Sequence, residues 1–72
     1  MKRIYADFND IAEDGTLPLT CKGSQSSIAN LPGELNEGER VILFDGELTA
    51  LATVHQRPNG SWEAHSDWQF SR

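Results

Sequence analysis

The sequence predicts an all-β fold, a small five-stranded barrel that ends in a three-stranded antiparallel meander and carries at most one short helical turn. Three observations carry that prediction. Two hairpin signals, Asp45-Gly46 and Pro58-Asn59-Gly60, divide residues 35–68 into three runs. Apolar and polar residues alternate along those runs, the period of a half-buried strand. Two more alternating segments, residues 2–8 and 16–21, precede them. Five short strands joined mostly by glycine turns favour closure, because closure removes exposed edges.

Residues 2–8 are expected to form the first strand. Ile4, Ala6 and Phe8 face one way, and Arg3, Tyr5 and Asp7 the other. A polar, acidic loop follows and ends at the turn signal Asp14-Gly15. Residues 16–21 form the second strand, with Leu17, Leu19 and Cys21 on one side. Pro18 has no amide proton, so this strand belongs at an edge. Residues 23–33 are irregular. Ser24 is expected to cap a single helical turn through Ile28 and Ala29, closed by Pro32-Gly33. Gly38 supplies a bend into the meander.

The meander sets the core face. With Asp45 and Gly46 at the centre of a type I′ turn, Leu43 faces Leu48, Ile42 faces Thr49, and Val41 faces Ala50. The second turn admits two registers. A two-residue Asn59-Gly60 loop sets Val54 opposite His65; a three-residue loop with Gly60 left-handed sets Val54 opposite Ala64. The second is preferred, because a one-residue slip would bury the imidazole and expose Ala64. It also places Gln56 beside Trp62, His55 opposite Glu63, Thr53 opposite His65, Ala52 beside Ser66 and Ala50 beside Trp68. The core face is then Val41, Leu43, Leu48, Ala50, Ala52, Val54, Trp62, Ala64 and Trp68. The opposite face carries Arg40, Thr49, Leu51, Thr53, His55, Glu63, His65 and Asp67, but also Ile42 and Phe44. Phe70 lies in a short tail.

Leu35-x-x-Gly38-x-x-Val41-x-Leu43 resembles the diverging-turn strand of Src-homology-3-like (SH3-like) domains. Gly60-x-Trp62-x-Ala64 resembles their Gly-Asp-Trp-Trp-x-Ala segment, and Ala6-Asp7-Phe8-Asn9-Asp10 their opening Ala-Leu-Tyr-Asp-Tyr motif. The tryptophan doublet is single here, Ala64 comes one residue early, and Asp10 replaces the second tyrosine. The resemblance implies an SH3-like barrel and not proline-peptide recognition, which needs an aromatic groove. The opening residues are also similar to small bacterial proteins of unassigned function. An oligonucleotide-binding-type barrel would need more residues and a longer helix.

The 72 residues make one domain, residues 1–72. A chain of this size buries only about 60% of its unfolded surface. Acidic residues outnumber basic ones 11 to 6, and the formal charge of −5 repels phosphate backbones. Cys21 is the sole cysteine, so no disulfide framework exists, and a reducing, cytoplasmic setting is expected. The longest apolar run, residues 41–44, is far short of the roughly 20 residues of a membrane span. The start of the chain lacks the apolar core of a signal peptide.

Few residues point to chemistry. His55 and His65 are diagonal neighbours on the outer face and, with Glu63 or Asp67, form a candidate metal set; the alternative is weak cross-strand pairing. Cys21 with either histidine as base is a weaker nucleophile candidate than an apolar core residue. Ser24, Ser26 and Ser27 lack a nucleophile-elbow or phosphate-loop pattern. Asp7, Asp10, Glu13 and Asp14 do not match a calcium-loop spacing. Trp62 and Trp68 are assigned to the core rather than to a stacking platform. No cofactor is implied. The expectation is a non-enzymatic binding or adaptor module that contacts another protein through Tyr5, Ile42, Phe44 and Leu51, apolar residues left off the core face. The alternatives are a nucleic-acid-binding barrel and a metal-binding protein using the two histidines.

Overall fold

A computed structural model describes all residues, Met1–Arg72. Strands β1 (Arg3–Tyr5), β2 (Thr16–Pro18), β3 (Arg40–Asp45), β4 (Leu48–Gln56) and β5 (Trp62–His65) form one five-stranded sheet, and helix α1 (Lys22–Ala29) lies between β2 and β3 in sequence. The strand order is β1-β3-β4-β5-β2. The pair β1–β3 is parallel and the other three pairs are antiparallel.

The sheet is open, which corrects the expected barrel. β1 and β2 are three residues each and stand at opposite ends of the strand order, so they never meet to close it. Both expected strands are cut short by local hydrogen bonding. After Ala6 the Asp7 carboxylate accepts from the Asn9 amide at 3.0 Å and starts a 3₁₀ turn at Phe8–Asp10. Pro18 ends β2, and Cys21 opens the helix.

The edges are sealed by side chains instead of closure. In β1 the outward Tyr5 amide donates to Ser27 Oγ at 3.1 Å, and Ser24 Oγ donates to the Tyr5 carbonyl at 2.6 Å. In β2 the Thr16 amide donates to Asp14 at 2.9 Å, its carbonyl accepts from the Ala12 amide at 2.9 Å, and Pro18 has no amide to offer.

Helix α1 spans eight residues, two turns rather than the expected one. Its sequence is poor in helix formers, with one glycine and three serines. Tertiary contacts hold it: Ser24 is fully buried against β1, and Ile28 packs on the core. The N-cap is Cys21, whose Sγ accepts from the Ser24 amide at 3.4 Å. Ser24 does not cap because its hydroxyl is committed to Tyr5.

The β3–β4 register differs from expectation by two residues. Leu43 pairs with Ala50, Val41 with Ala52, and Asp45 with Leu48. The turn residues are Gly46 and Glu47, and only Gly46 has positive φ, at 59°. That suits the primed turn that asks for glycine at its first central position. A shift of two keeps every side chain on its face, so Val41, Leu43, Ala50, Ala52, Val54 and Ala64 are buried as expected, while Leu48, now opposite Asp45 at the turn, is only partly buried. The β4–β5 register is the expected one, with Val54 opposite Ala64, His55 opposite Glu63, and Gly60 at φ 89°.

Ile4, Ala6, Leu17, Leu19, Val41, Leu43, Ala52, Val54 and Ala64 form the buried core, and Phe8, Ile11, Ile28, Leu31, Leu35, Trp62 and Trp68 pack against it. The tail departs from the expected Ala52–Ser66 and Ala50–Trp68 pairings. Strand β5 ends at His65, Ser66 Oγ donates to the Leu51 carbonyl, Trp68 turns the backbone with φ 55°, and Ser71 pairs with Thr49. This path lays Trp68 and Phe70 against Phe8, with ring centroids 6.2 and 4.7 Å from it. The Trp68 indole donates to the Gly15 carbonyl at 2.8 Å. No helix is long and apolar enough to cross a membrane.

Candidate functional site

Because side chains alternate, the five strands that bury one face present the other to solvent. Reading across the sheet, Tyr5, Phe44 and Thr49 form one row of that outer face, and Arg3, Ile42 and Leu51 the next. Arg40, Thr53, His65 and Thr16 form a third, and His55, Glu63 and Pro18 a fourth.

The first two rows hold all four residues expected to form a binding surface. Tyr5 and Phe44 are opposed across β1 and β3, with centroids 5.9 Å apart in an edge-to-face arrangement. Ile42 and Leu51 are opposed across β3 and β4. Leu51 is 45% exposed, and the other three are partly exposed. The Arg3 guanidinium lies over the Phe44 ring, 5.3 Å from its centroid. The Tyr5 ring rests on the helix backbone at Gly23, where an added Cβ would come within 2.7 Å of Cε1. The neighbouring carboxylate of Asp45, with smaller effects from burial and Asp7, pushes the Tyr5 phenol above its ordinary pKa.

An open groove of about 420 Å³ adjoins this patch and is lined by Arg40, Leu51, Ala52, Thr53, His65, Ser66, Asp67, Gln69 and Ser71. Arg3 and Arg40 have no acidic partner, whereas Lys2 pairs with Glu39 and Arg57 with Glu63.

The two histidines are neighbours, with ring centroids 5.0 Å apart. Each already faces a carboxylate: His55 Nδ1 meets Glu37 at 2.5 Å, and His65 Nε2 meets Glu63 at 2.5 Å. Arg57, then His65, hold the Glu63 carboxyl below its usual pKa. The Gln56 amide, then His55, do the same for Glu37. Asp67 lies beyond the strand end. No group of three or more His, Cys, Asp or Glu side chains is arranged to hold a metal ion.

The remaining candidates have structural partners. Cys21 caps α1. Asp7 and Asp14 cap local turns. Trp62 and Trp68 are both partly buried. Trp62 borders an open concavity of about 610 Å³ of mixed polarity, with Ile28, Leu31 and Leu35 on the helix side and Glu34 and Gln56 at it as well. Sequence reasoning placed Arg3 and Arg40 on the outer side but assigned them no role. The pairing of β1 with β3, which brings them beside one patch, has no local signature.

No family model, curated protein or solved structure matches this chain.

Proposed function

We propose that this chain is a non-enzymatic binding module that docks another protein on the outer face of its sheet. One observation carries the reading: Tyr5, Phe44, Ile42 and Leu51 form two adjacent, partly exposed cross-strand apolar pairs on the outer face, which helix α1 reaches only at its Tyr5 corner, through Gly23. The sealed edges support it. With the outward groups of Tyr5 and Thr16 already bonded, strand addition has few free partners, and a partner is left with the face.

Affinity capture from lysate of the source organism, with and without nuclease, tests this. Wild type is compared with Leu51→Ser and Phe44→Ala. The expected result is a protein retained after nuclease by wild type and lost from both variants. Retention by both variants moves the site elsewhere. A catch that disappears with nuclease replaces this reading with nucleic-acid binding, which the net charge of −5 opposes.

A further inference from the structure

We propose that the docked partner presents a segment combining apolar anchors with carboxylates, and that Arg3 and Arg40 receive those carboxylates. The inference rests on the outer face being the docking surface.

Charge complementarity carries it. The chain is strongly acidic, yet the apolar row of Ile42 and Leu51 is flanked by two arginines. Arg3 stands directly across from Ile42, and Arg40 lies two residues before Ile42 on the same strand side. Ordinary strand spacings put their Cα atoms about 8 Å apart. Two carboxylates on alternate residues of an extended segment are separated by about 7 Å, so one such segment can reach both. The Arg3 guanidinium lies over the Phe44 ring, 5.3 Å from its centroid, and a guanidinium so placed has N–H groups to offer a carboxylate in bidentate pairing. Neither arginine is spent on an internal ion pair.

The acids around the face give it a direction. Glu63 is engaged by Arg57 and His65, and Asp67 borders the groove on the His65 side. Asp45 and Asp7 sit near the Tyr5 end, where they act on the phenol. A carboxylate is therefore favoured at the two arginines of the Ile42–Leu51 row, and an apolar or aromatic residue fits against the Tyr5–Phe44 pair. A second copy of this chain is a poorer occupant, because pairing the face with itself on a two-fold axis brings like-charged arginines to one interface. Nucleic acid suits the arginines but meets the net charge of the chain.

The test pans the full-length chain against a displayed library of random peptides about 12 residues long. Enriched peptides are expected to carry Asp or Glu close to aromatic or aliphatic residues. Arg3→Gln and Arg40→Gln are each expected to weaken the best peptide by about tenfold, and raising salt from about 50 to about 500 mM to weaken it further. Leu51→Ser, an exposed substitution that leaves the fold intact, should abolish binding while Arg57→Gln should not. Enriched peptides without excess acid, or affinities within about twofold in both arginine variants, overturn the carboxylate assignment. If Leu51→Ser still removes that binding, the docking face stands and only the partner chemistry is wrong. Peptides indifferent to Leu51→Ser overturn both. Tighter binding of a single-stranded oligonucleotide than of any peptide also overturns the assignment.

Discussion

Ser24 Oγ stands 2.6 Å from the Tyr5 carbonyl oxygen and is fully buried, so the helix closes the edge of the sheet with a serine rather than with a strand. Ser24→Ala leaves that carbonyl desolvated and without its donor. The expected loss is about 1–3 kcal/mol, read as a lower urea midpoint. Ser27→Ala, which frees the Tyr5 amide, should cost less, because Ser27 is only partly buried and water can replace it. Equal midpoints for wild type and Ser24→Ala would contradict this account of the edge.

Gly23→Ala sets two effects against each other. Alanine in place of glycine favours a helix by about 1 kcal/mol. Its Cβ, however, falls within 2.7 Å of Tyr5 Cε1, closer than two such atoms approach, so the ring must move. Overpacking typically costs about 1–3 kcal/mol, so the clash should win and the variant should be less stable. The displaced ring would also disturb the docking patch. Thermal melting and peptide affinity check both parts, and a stabilised variant with unchanged affinity would refute them.

Leu51→Ser should change stability by about 0.5 kcal/mol or less, since the side chain is 45% exposed. Leu43→Ala, on the same hairpin but fully buried, should cost about 2–5 kcal/mol. In a chain of this length that approaches the total stability. The pair thus separates a face that binds from a face that folds. Comparable losses would mean that the outer face is part of the core.

Four carboxylates are held below their ordinary pKa: Glu63 by Arg57, Glu39 by Lys2, Glu37 by the Gln56 amide, and Asp14 by the Thr16 amide. A lowered folded pKa means that the unfolded chain takes up protons first. Their contribution is therefore complete above the ordinary carboxylate range and is lost as pH falls through it toward the lowered values. The urea midpoint should decline as pH falls between about 4.5 and 3. Because Asp14 and Glu37 are exposed and Glu39 and Glu63 only partly buried, the decline should be shallow and reduced by salt. Glu39→Gln should flatten part of it. An undiminished decline in that variant would remove Lys2–Glu39 from the explanation.

What was legible in the sequence follows from which physical signals are local. The inner face of the meander was readable because period-two alternation survives any even register shift, and the actual β3–β4 shift was two. The β4–β5 register was readable because the alternative buries His65. The direction and partner of β1 were not, since alternation in Arg3–Tyr5 says nothing about which strand it meets or whether the pairing is parallel. Helix α1 was underestimated because its stability lies in two serine hydroxyls reaching another element, not in an apolar stripe. Tyr5, Ile42, Phe44 and Leu51 were found as apolar residues left over from the core. The arginines beside them gained meaning only when β1 came to lie on β3.

The docking face is tested most directly by titrating a captured protein partner, or the best acidic peptide, into the isotope-labelled chain and following its backbone amides. Shifts centred on Arg3, Arg40, Ile42, Phe44 and Leu51 are expected, with Ile28, Leu35 and Trp62 on the helix side unmoved. Shifts centred on Trp62 and the helix, with the outer face silent, would contradict the account.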